Sequence, residues 1–189
     1  DSRQSRGLGD VYKRQVSTSG KAIRFPITNV RSMGRGARGV KAMTLRPDDF
    51  VVGMELARDA QDVLVITEKG FGKRTPMTEF RSQSRGGKGL IASKVTDRVG
   101  QIVAMRIVDV DDDIMIMTES GIVIRTDSQY ISRVGRNTQG VKVIRIEEGD
   151  RVATVAKLKR EETDETEEDT DLVSEENVVE SDTSEEVEE

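Results

Sequence analysis

Two cations among three glycines, in Gln83-Ser84-Arg85-Gly86-Gly87-Lys88-Gly89, are the residues of this sequence best suited to chemistry. That chemistry is the holding of an anion. An arginine fork binds one phosphate bidentately, and glycines let backbone N–H groups approach its oxygens closely. Gly86, Gly87 and Gly89 are therefore candidate backbone contacts, and Arg81, Arg85 and Lys88 candidate side-chain contacts. The loop is not alone. A loop of the same kind closes at Gly39, fifty residues earlier, and another at Gly140, fifty-one residues later. In each, an arginine stands four residues before the closing glycine, giving the column Arg35, Arg85 and Arg136. Arg31, Arg38 and Lys41 flank the first loop, and Arg133 and Lys142 the third. One such loop is most simply a turn with solvated charges. Three in register point to a basic track along one rim, suited to a long polyanion.

Composition removes most other chemistries. There is no Cys and no His, which argues against disulfides, thiolate metal sites, a zinc enzyme and the usual general base. Aromatic residues make up only 3%, and none lies in the loops, so stacking on splayed single-stranded bases is poorly served. Duplex nucleic acid held by its backbone is the simplest partner, a mode that positions without reading sequence. The net charge of -5 conceals two opposed parts. Residues 161–189 carry sixteen acids and no cation, whereas residues 1–160 hold thirty cations against nineteen acids, or +11. A basic body with an acidic tail is the pattern of a polyanion binder that carries its own competitor. No apolar run approaches the ~20 residues needed to cross a bilayer, and no signal peptide is visible, so a soluble cytoplasmic protein is expected.

Other motifs lead nowhere. Gly20-Lys21 lacks the earlier glycine of a P-loop, the acids from Asp109 to Asp113 read as a solvated turn, and the seven Met read as core filler. Neither Tyr12 nor Tyr130 has acid-base neighbours in sequence that would make it a nucleophile.

The loops must be positioned by the elements between them. A second glycine column, Gly20, Gly70 and Gly121, lies nineteen residues before each closing glycine. An apolar strand precedes each of Gly70 and Gly121, and a second strand follows with arginine at its fourth position: Arg24, Arg74 and Arg125. Each copy thus opens with a β-hairpin. An apolar anchor (Val30, Phe80, Ile131) leads into the basic loop, and two further apolar stretches follow, such as 89–95 and 101–107. Four short strands per copy, punctuated by glycine, predict an all-β repeat of propeller-like blades, with copies at about 16–60, 61–111 and 112–159. Residues 1–15 break the pattern: Tyr12-Lys13-Arg14-Gln15 stand where an apolar strand belongs. They read as a non-native or disordered leader, a fusion scar or an assembly error, with native sequence from Val16. Residues 160–189 read as a disordered tail.

Gly72-Lys73-Arg74-Thr75, the run from Gln83 to Gly89, and above all Val134-Gly135-Arg136-Asn137-Thr138-Gln139-Gly140-Val141 closely resemble the carboxy-terminal domain of the DNA gyrase A protein. The similarity runs from about Val16 to Leu158, with an acidic tail in kind. The resemblance implies a six-bladed β-pinwheel that wraps duplex DNA around a basic perimeter, of which this chain would hold the last three blades, the first incomplete. The family's signature box is Gln, two basic residues, two glycines, a basic residue and glycine; residues 83–89 match it except at Ser84. That box belongs to the family's first blade, so Gln83–Gly89 is a box-like relative in an equivalent loop. The resemblance further implies a fragment of a type IIA ATP-hydrolysing topoisomerase that carries none of its catalytic residues. The active-site tyrosine would lie upstream, and ATP and Mg would be used elsewhere in the holoenzyme. The gyrase B protein would join an A2B2 assembly through regions outside this chain. A bacterial, chromosome-associated protein follows. The related topoisomerase IV counterpart of gyrase A and a protein-interaction propeller are the alternatives. For the tail, the charge balance suggests autoinhibition by folding over the basic track, beside a plain solubilising role.

Overall fold

A computed structural model describes residues 12–159; the expectations for residues 1–11 and for the acidic tail from residue 160 lie outside the described residues. Within the described residues the fold comprises eleven strands and three single-turn 3-10 helices. The first copy contributes β1 (Tyr12–Ser17), β2 (Lys21–Pro26) and β3 (Val51–Ala57). The second contributes β4 (Asp62–Thr67), β5 (Phe71–Pro76), β6 (Leu90–Ile91) and β7 (Ile102–Val108). The third contributes β8 (Asp113–Thr118), β9 (Val123–Asp127), β10 (Val141–Lys142) and β11 (Val152–Leu158). The predicted hairpins are present, with Gly20, Gly70 and Gly121 at φ of 83°, 78° and 93°, a region that only glycine enters freely.

The strands assemble into three antiparallel sheets, ordered β3-β1-β2-β6, β10-β5-β4-β7 and β11-β8-β9. This corrects the expectation that each copy builds its own four-stranded blade. The outer strand of the first sheet, β6, comes from the second copy and pairs at Lys21↔Ile91 and Ala22↔Leu90. The outer strand of the second, β10, comes from the third copy and pairs at Val141↔Gly72 and Lys142↔Phe71. A two-residue strand reaches its neighbour because the basic loop before it crosses from one blade to the preceding one. The equivalent stretch after Gly39, residues 40–41, forms no strand among the described residues.

Packing between blades explains why the middle copy shows an unbroken apolar run. In β4, Val63 and Val65 face a core shared with Val16, Ala22, Ala57 and Phe80, while Leu64 and Ile66 face a second core with Ile114, Ile116, Val152 and Val155. A strand buried on both faces loses the alternation of a half-exposed one. The anchors Phe80 and Ile131 are buried and Val30 packs against the small cluster of Ile23, Phe25 and Met43.

Part of the expected leader falls within the described residues. Tyr12–Gln15 lie within β1, hydrogen-bonded between β2 and β3, because the edges on both sides template the backbone whatever its side chains. The misfit is visible in those side chains. Arg14 is fully buried at the position that Leu64 fills in β4, and its Nε and Nη2 have no hydrogen-bond partner. Its guanidinium lies 3.6 Å from the Phe80 ring centroid, and Nη1 donates to Met77 Sδ at 3.0 Å. Burial, then the charges of Arg24 and Arg136, pull its pKa down to about 9. Arg14→Leu is therefore expected to stabilise the chain by about 1–4 kcal/mol, read as a higher urea midpoint at unchanged m. A loss of stability would mean that the contacts with Phe80 and Met77 outweigh the cost of burying the cation.

Candidate nucleic-acid interface

The second and third basic loops lead into β6 and β10, which lie at the edges of their sheets opposite β3 and β7. Loop 83–89 is laced to the first copy: Gln83 N–H donates to Arg24 O at 2.8 Å, Gly86 N–H to Ala42 O at 2.6 Å, and Thr44 N–H to Gly87 O at 2.8 Å. The third loop repeats the attachment one blade on, where Val134 N–H donates to Arg74 O at 2.9 Å. Each closing glycine then runs against the preceding hairpin. Gly89 and Gly140 have φ of 71° and 83°.

Two arginines of the repeated column are hydrogen-bonded to the preceding copy. Arg85 Nη1 donates to Lys41 O at 3.3 Å and its Nε to Asn29 O at 3.1 Å. Arg136 Nη1 donates to Ile91 O at 3.1 Å, the carbonyl one repeat beyond Lys41. Both fasten their loop to the copy before. Arg85 stays exposed and Arg136 half-buried, so each keeps part of its guanidinium toward solvent. Arg35, in the first loop, is exposed, as are Arg31, Arg38, Lys41, Arg81, Lys88 and Lys142. The structure thus places nearly all the predicted cations on the surface, with those of the second and third loops beside outer strands β6 and β10.

Three predicted contacts are otherwise engaged. The N–H of Gly86 is committed to Ala42 O, so it does not present a free donor to phosphate. Gly89 serves close packing, because its missing Cβ would stand 2.5 Å from Ala22 O. Arg133 is drawn to Asp62, with Nε 2.9 Å from Oδ2, and that hydrogen bond raises its pKa.

Sequence reasoning missed the partner of the other arginine column. Arg74 lies within 3.4 Å of Asp62, donates Nε to Ile131 O at 2.9 Å, and donates Nη2 to Gln129 O at 3.3 Å. Arg125 pairs with Asp113 by Nε at 2.7 Å. The signal was an aspartate twelve residues before the arginine in both copies. In the first copy Tyr12 stands in its place, and Arg24 lies 3.8 Å from the Tyr12 ring centroid and pairs with Asp59 instead. Lys73 was likewise unassigned. It is buried, and its ammonium donates to Gly135 O, Arg136 O and Thr138 Oγ1 at 2.8, 2.6 and 3.0 Å, a clasp that shapes the third loop from within.

Comparison with known proteins places this architecture. The family described as DNA gyrase C-terminal domain, beta-propeller, matches residues 16–58, 61–109 and 112–159. The DNA gyrase A protein of Staphylococcus aureus (strain NCTC 8325 / PS 47) is 46% identical over 149 residues, covering 78% of this chain. That of strain MRSA252 is 44% identical over 155 residues, covering 81%. The chain spans only 17% and 18% of those relatives' lengths. A solved DNA gyrase A C-terminal domain superposes with a TM-score of 0.74 at 27% identity, covering 80% of this chain and 52% of that one. The C-terminal domain of DNA topoisomerase IV superposes equally, with a TM-score of 0.74 at 26% identity, covering 81% of this chain and 47% of that one.

Proposed function

Since the chain belongs to the DNA gyrase C-terminal domain family of β-propellers, we propose that it binds duplex DNA without sequence preference and bends it along the blade rim. The observation that supports this reading is the exposure of the loop cations at successive edge strands, Arg81, Arg85 and Lys88 ahead of β6 and Lys142 within β10, with Arg136 half-buried beside it. Loops repeated at one place on each blade offer phosphates a path rather than a point. Held at several points on a curved rim, a duplex follows the curve, and in a whole gyrase such wrapping would give strand passage its negative sign. Cutting, and the use of ATP and Mg, would belong to other parts of an A2B2 enzyme formed with the gyrase B protein in the bacterial cytoplasm. No helix among the described residues is long and apolar enough to cross a membrane.

Binding through phosphates has a salt signature. Log affinity for a 40-base-pair duplex should fall with log salt at about 0.9 per phosphate contacted. Arg31→Gln, Arg35→Gln and Arg38→Gln together, on exposed side chains away from the ion pairs, should flatten that slope and weaken all sequences alike. A duplex affinity indifferent to salt would refute the reading. The equal superposition on the topoisomerase IV domain supports a second reading, the corresponding polypeptide of that enzyme. A shift in plasmid linking number on binding, assayed with a relaxing topoisomerase, separates wrapping from simple binding.

A further inference from the structure

The cations considered so far follow the repeat, but three that meet in space do not. Lys21 at the start of β2, Arg46 in the segment after the first loop and Lys88 in the loop of the next copy line one cavity of about 220 Å³, with Thr44, Leu45 and Asp49. The exchanged strand brings them together, since Lys21 pairs with Ile91 just beyond Lys88 and Gly89. At the corresponding places of the second copy stand Phe71, Thr96 and Gln139, and in the third copy Ile122 and Glu147 replace Lys21 and Arg46. Residues that hold blades together recur, as Arg24 and Arg74 do, whereas this trio occurs once. A convergence that the repeat does not require points to a ligand.

The cavity is electrostatically matched to a phosphate group. The Asp49 carboxylate is already occupied: Oδ1 accepts from Thr18 Oγ1 at 2.7 Å and from Ser19 N at 2.9 Å, and Oδ2 accepts from Ser19 Oγ at 2.6 Å. Three cations against that one carboxylate leave the cavity two positive charges in excess. Two ammonium point charges and one guanidinium fork are the donor set that phosphate takes. Thr44 is turned to the loop, donating Oγ1 to Gly86 O at 2.7 Å, and so ties the cavity wall to the box-like segment.

We propose that this notch seats a single phosphate group, and that on a duplex it anchors the backbone at the first blade while the repeated loops guide the flanking DNA. The second half of that statement rests on the duplex-binding reading above; the first does not. The source of the phosphate is either a backbone diester or free inorganic phosphate.

Two measurements on the full chain decide it, comparing the wild type with Lys21→Gln/Arg46→Gln/Lys88→Gln. The first is duplex affinity by fluorescence anisotropy across a salt series. One shared phosphate predicts a slope shallower by about 0.9 in the triple variant. A slope shallower by about 2.7 would give each cation its own phosphate and overturn the single site. The second is titration with inorganic phosphate followed by amide NMR, where saturable shifts at Lys21, Arg46 and Lys88 should vanish in the variant. If the wild type fails to bind duplex yet phosphate still titrates the notch, the duplex reading falls and the notch stands as a free-phosphate site. A slope change of about 0.9 without phosphate titration assigns the site to the diester. An unchanged slope with no saturable shift overturns the proposal. Should the triple variant not fold, Arg46→Gln alone, on an exposed side chain, is read in the phosphate titration, where weakened saturable shifts at Lys21 and Lys88 support the shared site and unchanged shifts overturn it.

Discussion

Gly89→Ala and Gly140→Ala are each expected to cost about 2–5 kcal/mol of stability, whereas Gly39→Ala, in the same repeat position, should cost only about 1–2 kcal/mol. All three glycines have positive φ, 78° at Gly39, 71° at Gly89 and 83° at Gly140, so the left-handed backbone penalises alanine similarly at each. The difference lies in what the added Cβ meets. At Gly89 it would stand 2.5 Å from Ala22 O, and at Gly140 2.5 Å from Gly72 O, the equivalent carbonyl one blade on. Both obstacles are backbone atoms in a hydrogen-bonded strand and cannot swing aside. Around Gly39 nothing lies within 4 Å. Urea unfolding of the three variants separates the shared conformational cost from the clash. Equal losses at all three positions would show that the outer strand is not pressed against the preceding hairpin.

The second large effect centres on Asp62. Its carboxylate is about 9% exposed and faces two arginines: Arg74, whose side chain is equally buried, at 3.4 Å, and Arg133, 56% exposed, at 2.9 Å. Asp62→Ala leaves the Arg74 guanidinium in place without its counterion, a change expected to cost about 3–5 kcal/mol. Arg133→Ala should cost under about 1 kcal/mol, because an exposed partner gains little from the pair. Thermal unfolding of both variants gives the contrast directly. Comparable losses for Asp62→Ala and Arg133→Ala would place the energy in the outer pair and remove Arg74 from the argument. The outcome also bears on the proposed duplex binding, since Arg133 would no longer be held by Asp62.

Much of this was legible in the sequence, for identifiable reasons. The hairpins were marked by glycines at a fixed interval and by apolar runs before them, both local signals. The anchors Phe80 and Ile131 were marked by their register. Blade membership was not legible, because the exchange rests on pairs such as Ala22 with Leu90 and Phe71 with Lys142, made by strands of two residues that carry no periodicity. An arginine's sequence position does not say whether its fork meets a phosphate or a protein carbonyl. Hence Arg85 and Arg136 proved to fasten loops, and Arg133 proved to be an ion-pair partner. Lys21 was weighed only as part of a P-loop and Arg46 not at all, because neither recurs in the other copies. In residues 12–15, side chains unlike those of the other copies occupy a strand paired on both sides.

The borrowed outer strand alters what counts as a folding unit. In a solenoid whose repeats each close their own sheet, intrinsic stability and neighbour coupling are separable quantities. Here they are not, because the hydrogen bonds that complete one blade are made by the chain of the next. Nearest-neighbour coupling therefore dominates, and a lone repeat has no complete sheet to fold into. Damage to one connecting loop is shared by two blades, and protection from amide exchange should decline from the middle sheet toward both ends instead of stepping blade by blade. A rim built this way transmits strain along its length, so tension from a bound polyanion at one blade is felt as a load on the next.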